Sequence, residues 1–305
     1  MKKTTAVAIS GGVDSLMAAC LLKEQGQDVI GIHFITGFET ALSCIQHPQA
    51  DNRLKILGIG EQLGIPVEIV DIRAEFQEKI VDYFTQTYNS GQTPNPCMRC
   101  NPSIKFGKVL SYAHSLGAQK LATGHYARIK MDPSGNFHLF KGRDNQKDQS
   151  YFLARLTQQQ LENAYFPLGE MKKSDIKQLA AKKGLRPLSR DESQDVCFIK
   201  HTSYGEFLSA QKGFEPRPGL IEKINGQVIG EHNGLHLFTI GQRRGINCPA
   251  AEPYYVIRLD IERNRLTVGT KTDLLSSECK VTEINWIGKE PTLPLDVHTR
   301  VRYRS

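Results

Sequence analysis

Six consecutive residues, Ser10-Gly11-Gly12-Val13-Asp14-Ser15, have the types needed to hold an anion. They stand between the apolar run "TAVAI" and a helical pattern that begins at Asp14. Glycine lets a backbone approach phosphate oxygens closely and take positive φ. A helix start adds unpaired N–H groups and a partial positive charge. The hydroxyls of Ser10 and Ser15 are further donors. Asp14 repels a bare phosphate, so its expected role is to cap the helix or meet Mg2+. The lysine of a Walker-type loop, G-x-x-x-x-G-K-[ST], is absent. Such a loop suits a pyrophosphate that leaves better than a γ-phosphate that is transferred. A tight turn with no ligand is the bland alternative.

Thiols supply the second kind of chemistry. Cys97 and Cys100 form a C-x-x-C with Arg99 between them, in "GQTPNPCMRCNPSIKFG". Pro94 and Pro96 stiffen a loop there, and Lys105 falls at or near the start of a helix expected from Ser103 to Leu116. Nearby cations and a helix N-terminus favour the thiolate, the nucleophilic form. The pair could also be half of a zinc site, but no second C-x-x-C or H-x-x-x-H completes four ligands. Cys197 lies in an apolar strand-like run behind an acidic cluster, where a buried inert thiol is the default reading. Gly124 and His125 end another strand, and Lys147, Asp148 and Gln149 are consecutive polar residues before an apolar helix start.

These residues need elements to carry them. In the first half, strand patterns ("TAVAI", "DVIGIHFI", "PVEIV", "AQKLATG") alternate with helical ones at Asp14–Gln25, Asp51–Leu63, Ala74–Tyr88 and Ser103–Leu116. Alternation of this kind predicts a parallel sheet with helices on both faces and a ligand site beyond the carboxyl ends of its strands. Thr157–Asn163 and Ser174–Lys183 read as helices, the latter with Ser174 as N-cap and Gly184 as its stop. From about Pro216 the texture becomes β. Asn225-Gly226 signals one hairpin, "PYYVIRLDIERNRLTVG" reads as a second, and "VTEINWIG" and "VHTRVRYRS" read as further strands. The last third is therefore expected to be mostly antiparallel.

The 305 residues allow two domains, possibly with a third piece, and carry 39 Lys+Arg against 32 Asp+Glu, a net charge of +7. That excess suits a polyanionic partner such as RNA without requiring one. The seven cysteines, an odd count with no secretory pattern, argue against a disulfide framework. No apolar run is long enough for a membrane helix, and the expected location is the cytoplasm.

S-G-G-x-D-S in this position resembles the ATP-pyrophosphatase (PP-loop) family, which splits ATP between its α and β phosphates. The ordered set S-G-G-V-D-S, T-P-N-P-C-x-x-C-N-x-x-I-K-F, A-T-G-H-Y, K-D-Q-S-Y-F-L, S-Q-D-V-C-F-I and G-Q-R-R-G is more specific. It resembles the tRNA-specific 2-thiouridylases from about Thr5 to Arg304. That resemblance implies an α/β fold: a parallel-sheet ATP-pyrophosphatase catalytic domain over 1–200, a small central β-rich domain over 201–270, and the start of a C-terminal β-barrel, incomplete, over 271–305. It implies that Ala8, Ile9, Ser10, Gly11, Gly12, Val13, Asp14, Ser15, Phe34 and Gly124 line the ATP site. Cys100 is then the nucleophile and Cys197 the carrier of a persulfide. Asn95, Pro96 and Cys97 contact the target uridine, and His125, Lys147, Asp148, Gln149, Arg302 and Tyr303 contact tRNA. ATP and Mg2+ are the implied cofactors. tRNA and a sulfur donor, a cysteine desulfurase or a sulfur-relay protein, are the implied partners.

Three departures from the family pattern stand out. Many members have an acidic residue at the position of Cys97, so Cys97, Cys100 and Cys197 form an alternative ligand set for a [4Fe–4S] cluster. The segment "GFETALSCIQHPQ", with Cys44, differs from the usual one. The chain ends where the family continues its barrel. The lysines Lys172, Lys173, Lys177, Lys182 and Lys183 form either a phosphate-attracting helix face or a merely solvated one. The competing functions are an amide-forming ATP-pyrophosphatase and a non-enzymatic RNA binder.

Overall fold

A computed structural model describes residues 3–38, 48–188, 196–199 and 202–303. Cys44 and the acidic cluster before Val196 lie outside them. The chain divides into two units: Met1–Lys79 with Cys97–Gln194 and Ile284–Ser305, and Ile80–Pro96 with Asp195–Glu283.

The first unit is built on five parallel strands, β1 (Thr4–Ala8), β2 (Asp28–Ile35), β3 (Val67–Asp71), β4 (Lys120–Ala122) and β7 (Ala164–Tyr165), in the order β3-β2-β1-β4-β7. Val7 pairs with Gly31 on one side and Ala122 on the other, so β1 lies where the chain's winding direction reverses. Crevices at such switch points, beyond the carboxyl ends, are where open α/β sheets bind ligands. From Thr5 to Ala8 the strand is buried, because helices cover both faces. Val7, Ile9, Leu16, Leu22, Val29, Ile56, Ile59 and Ala122 form one core cluster, and Met17, Tyr126, Leu168, Ile176 and Ala180 a second. A two-stranded ribbon, β5 (Ala127–Met131) with β6 (Phe137–Lys141), is an element with no strong signal in the sequence.

The helix carrying the C-x-x-C starts earlier than expected. It runs from Pro96–Cys100 through a π-helical stretch, Asn101–Val109, into Leu110–Ser115. Proline suits a first helical position because its missing N–H would have no partner there. The two cysteines therefore sit in the first turn of a helix, not in a stiffened loop, and Lys105 lies well inside it. The lysine-rich helix also departs in detail. It spans Lys173–Lys182, and Ser174 is not its cap: the Asp144 carboxylate accepts the Lys173 main-chain N–H at 2.9 Å, while the Ser174 hydroxyl donates to Asp175. Gly184, at φ +64°, ends the helix as expected.

In the second unit, β8 (Gly219–Lys223), β9 (Val228–His232), β10 (Tyr255–Asp260) and β11 (Arg265–Gly269) form a sheet in the order β10-β11-β8-β9. Both hairpins exist, the first turning at Gly226 with φ +84°. The sheet is nevertheless mixed, because β11 and β8 pair in parallel, Leu266 opposite Ile221. Ile221, Leu235, Phe238, Val256, Leu266 and Val268 make its core. The runs "VTEINWIG" and "VHTRVRYRS" form no strand among the described residues. Alternation becomes a strand only when a neighbouring backbone completes the ladder, and none does so here.

Candidate nucleotide and thiol site

The loop after β1 meets the end of β4. Ala8 and Ile9 are buried at the last turn of the strand, and Gly11 takes φ +84°. The Gly11 carbonyl accepts the Leu188 N–H at 2.9 Å, which pins a returning segment against the loop. The Ser15 hydroxyl donates to the Gly12 carbonyl at 2.8 Å and lies 3.3 Å from the Ser10 hydroxyl. Gly12 occupies the N-cap position of the helix Val13–Glu24 with no side chain capping it, and of the first-turn N–H groups that of Ser15 donates to the Gly12 carbonyl at 3.1 Å, which leaves those of Val13 and Asp14 for an anion. Opposite them stands Gly124. A Cβ there would lie 2.8 Å from the Asp14 Cβ and 2.9 Å from its carbonyl carbon. Phe34, half-buried near the end of β2, borders the same carboxyl edge of the sheet.

Asp14 neither caps the helix nor stands open for a metal ion. Both of its carboxylate oxygens lie 2.6 Å from Lys173 Nζ, and one accepts the Tyr126 hydroxyl at 2.7 Å. The reason is positional: Asp14 is in the first turn and points sideways toward a neighbouring helix, not back over its own N–H groups. Among the described residues no group of three or more His, Cys, Asp or Glu is arranged to hold a metal ion. Lys173 and Lys183 are both held by carboxylates. Lys173 is buried, and Lys183 pairs with Glu24.

His125 is buried, with Nδ1 2.6 Å from the Thr123 hydroxyl and Nε2 3.4 Å from Lys105 Nζ. Burial, and then the Lys105 charge, hold its pKa well below the usual histidine range, so the ring is neutral. Since an ammonium can only donate, Nε2 accepts and Nδ1 carries the proton toward Thr123. Nothing local in the sequence marks Lys105 and Thr123 as its partners. Cys100, in the first turn of the helix that bears Lys105, is buried at 9% exposure, and Cys97 is half-buried. Asn101, next in line, is fully buried; its amide nitrogen donates to the Phe152 carbonyl at 2.8 Å while its Oδ1 has no partner.

The remaining expected contacts are distributed widely. Asp148 is buried and accepts from the Gly142 and Ser150 N–H groups and the Ser150 hydroxyl. The Gln149 side chain accepts the Tyr126 N–H at 3.0 Å. Lys147 lines a cleft of about 800 Å³ with Arg143, Lys172, Lys173 and Lys177. Arg302 is exposed, and Tyr303 packs its ring 4.5 Å from Phe152. In the second unit, Asn95 is half-buried, Pro96 buried, and Cys197 exposed in a turn rather than buried in a strand. The apolar character of the run belongs to Phe198, whose ring enters a cluster with Phe84 and Phe207, while the thiol beside it is exposed.

A lysine-free glycine loop at the switch point of a five-stranded parallel sheet defines an ATP-using PP-loop protein. Family models for the tRNA methyl transferase HUP domain and the tRNA methyl transferase PRC-barrel domain match residues 3–201 and 205–270. The tRNA-specific 2-thiouridylase of Desulfosudis oleivorans is 50% identical over 98% of this chain and 80% of its own length. That of Nostoc punctiforme is 42% identical over 100% of this chain and 86% of its own. Among solved structures, NMN synthetase from Francisella tularensis aligns at 14% identity and TM-score 0.40 over 68% of this chain and 72% of that one. The chain belongs to the tRNA-specific 2-thiouridylase family.

Proposed function

We propose that this chain is an ATP-dependent sulfurtransferase that converts a tRNA uridine, at the wobble position, to 2-thiouridine. The observation that supports this reading is the close approach of Gly124 to Asp14, which sets the end of β4 against the loop. Adenylation there turns the uracil C2 oxygen, a poor leaving group, into AMP, while the loop N–H groups hold the departing pyrophosphate. Mg2+ enters as the counter-ion of the ATP substrate. A persulfide on Cys197 attacks C2 and expels AMP. The Cys100 thiolate then attacks Cys197 Sγ, which frees the 2-thiouridine sulfur and leaves a Cys100–Cys197 disulfide for a thiol reductant to open. The exposure of Cys197 supports loading by an external donor, a cysteine desulfurase or sulfur-relay protein.

The target base must leave its stack to be reached. Asn95, Pro96 and Cys97 are the residues assigned to it, and His125, Lys147, Asp148, Gln149, Arg302 and Tyr303 are assigned to tRNA. The domain division 1–200, 201–270 and 271–305 and a cytoplasmic location belong to the same reading. No helix among the described residues is long and apolar enough to cross a membrane. No step of this chemistry requires a [4Fe–4S] cluster on Cys97, Cys100 and Cys197.

Incubation with ATP, Mg2+, a persulfide donor and unmodified tRNA is expected to give 2-thiouridine by mass spectrometry. Cys100→Ser is expected to abolish it, and Cys97→Asp to keep it in air. Adenylation of a small acid without thiolation would sink this function. Visible iron–sulfur absorbance in anaerobically prepared protein, with loss of activity in air, would replace the persulfide route by the cluster.

A further inference from the structure

No step of adenylation or sulfur transfer uses the motif G-Q-R-R-G, Gly241–Gly245, yet the second unit holds this turn with care. Gly241 and Gly245 take φ +83° and +85°, and the Gly241 N–H donates to the Val256 carbonyl at 2.8 Å. The Gln242 side chain ties the turn to itself. It accepts the Thr239 N–H at 3.1 Å and donates to the Leu237 carbonyl at 3.1 Å and the Arg244 carbonyl at 2.9 Å. The Tyr204 hydroxyl donates to the same Leu237 carbonyl at 2.6 Å. The two side chains presented on this frame, Arg243 and Arg244, are exposed, and no carboxylate among the described residues pairs with either. Arg265 of the same unit, by contrast, is engaged by Glu222 at 2.5 Å. The second unit carries 11 Lys+Arg against 12 Asp+Glu, so the pair is not a by-product of a basic surface. Adjacent like charges repel, and an anion that answers both removes that cost. The neighbour of the turn says which anion. Thr239 meets Thr93 hydroxyl to hydroxyl at 3.2 Å. Thr93 belongs to the same unit and stands two residues before Asn95, so the turn lies beside the segment assigned to the target base.

We propose that Arg243 and Arg244 form a clamp for the RNA phosphates that flank the extruded uridine, with Gln242 as the positioning residue that keeps the turn in shape. The clamp rests on the reading of the chain as a tRNA-uridine sulfurtransferase. A base taken out of its stack turns about its backbone, and the phosphates on its flanks must be held while it is out. Arginine suits that task because its rigid fork of donors matches phosphate oxygens in pairs. Phosphate contacts fix register and carry no sequence information, so the clamp seats the base without choosing the tRNA. A turn ordered beforehand by Gln242 loses less freedom when RNA binds.

The test is filter binding of unmodified tRNA to the full chain over a salt series. Arg243→Ala and Arg244→Ala are each expected to weaken binding by about tenfold at low salt and to lower the slope of log affinity against log salt by about 0.7–0.9. Arg243→Lys and Arg244→Lys, which keep the charge without the fork, are expected to restore the slope but not the full affinity. Gln242→Leu, which keeps both charges and loosens the turn, is expected to weaken binding by about three- to tenfold. In a chain that already carries both alanine changes it is expected to cause no further loss, because Gln242 acts through the arginines. ATP binding by calorimetry is expected to be unchanged in every variant. Wild-type affinity and slope in both alanine variants would overturn the clamp, and full additivity of Gln242→Leu with them would overturn its positioning role. Wild-type tRNA binding with slowed persulfide loading of Cys197 by a cysteine desulfurase would also overturn the clamp, and assign the arginines to an acidic protein instead. These outcomes leave the sulfurtransferase reading standing. A wild-type chain that forms no 2-thiouridine on tRNA overturns that reading, and the clamp with it.

Discussion

Gly124 and Asp14 meet backbone to backbone, with no flexible side chain between them to yield. A methyl group on Gly124 would sit inside van der Waals contact of the Asp14 Cβ and carbonyl carbon. Gly124→Ala is expected to displace the loop, lowering stability by roughly 1–3 kcal/mol and weakening ATP binding, as read by denaturant unfolding and titration. The neighbouring His125 makes a prediction of opposite character. Its folded pKa lies below the ordinary 6.5, so the unfolded chain takes up a proton first as pH falls. The stability this ring contributes is complete above its unfolded pKa and is lost progressively as pH drops below it. Between about pH 7.5 and pH 5.5 the loss is on the order of 1 kcal/mol, and His125→Asn is expected to flatten that slope in paired unfolding titrations. The loop and its two serines are legible in the sequence because they are contiguous. The partners of Asp14 are not, since Tyr126 and Lys173 arrive 112 and 159 residues later and nothing local marks them. Lys105 and Thr123 around His125 escape notice for the same reason.

At the level of elements, the helix of the two cysteines is sustained from outside. Its widened stretch accommodates Pro102, and Gly107 faces the Pro102 carbonyl, which a Cβ would meet at 2.8 Å. The Gln160 amide donates to the Pro102 carbonyl at 2.8 Å and the Phe106 carbonyl at 3.0 Å. The same side chain accepts the Thr157 N–H, and Thr157 in turn accepts from Gln160, closing a capping box. Gln160→Leu removes these bonds and leaves two carbonyls without that donor, so a loss of about 2 kcal/mol is expected in denaturant unfolding. Thr157→Ala, which removes the cap alone, is expected to cost about 1 kcal/mol. Helix and strand types in the first half follow from periodicity, and the Asn225-Gly226 turn from its residues. The start of the cysteine helix does not, because Pro94 and Pro96 read equally as loop and as first turn. The parallel contact of β11 with β8 does not either, because turn residues specify pairing within a hairpin and say nothing about which hairpin lies beside which.

Across the whole molecule the positive charge is uneven, and part of it is already committed. Lys172, Lys173 and Lys177 line the cleft with Arg143 and Lys147, and Lys173 and Lys183 pair with Asp14 and Glu24. If tRNA phosphates contact the cleft, Lys172→Ala and Lys177→Ala should each reduce the slope of log affinity against log salt by about one, uniformly across tRNA sequences. Lys183→Ala should leave that slope unchanged. Filter binding over a salt series distinguishes them.

The first unit is assembled from three separated stretches of chain, and the last of them, Ile284–Ser305, is tied back to the middle one. The Asn285 amide donates to the Ala154 and Leu156 carbonyls, and the Gln158 side chain to the Ile287 carbonyl. These partners are separated by 131 and 129 residues. At a synthesis rate of roughly 5–20 residues per second, the Ala154 and Leu156 carbonyls wait on the order of ten seconds for the side chain that satisfies them. The unit that begins at the ribosome first is thus closed last, after the whole mixed sheet has been made.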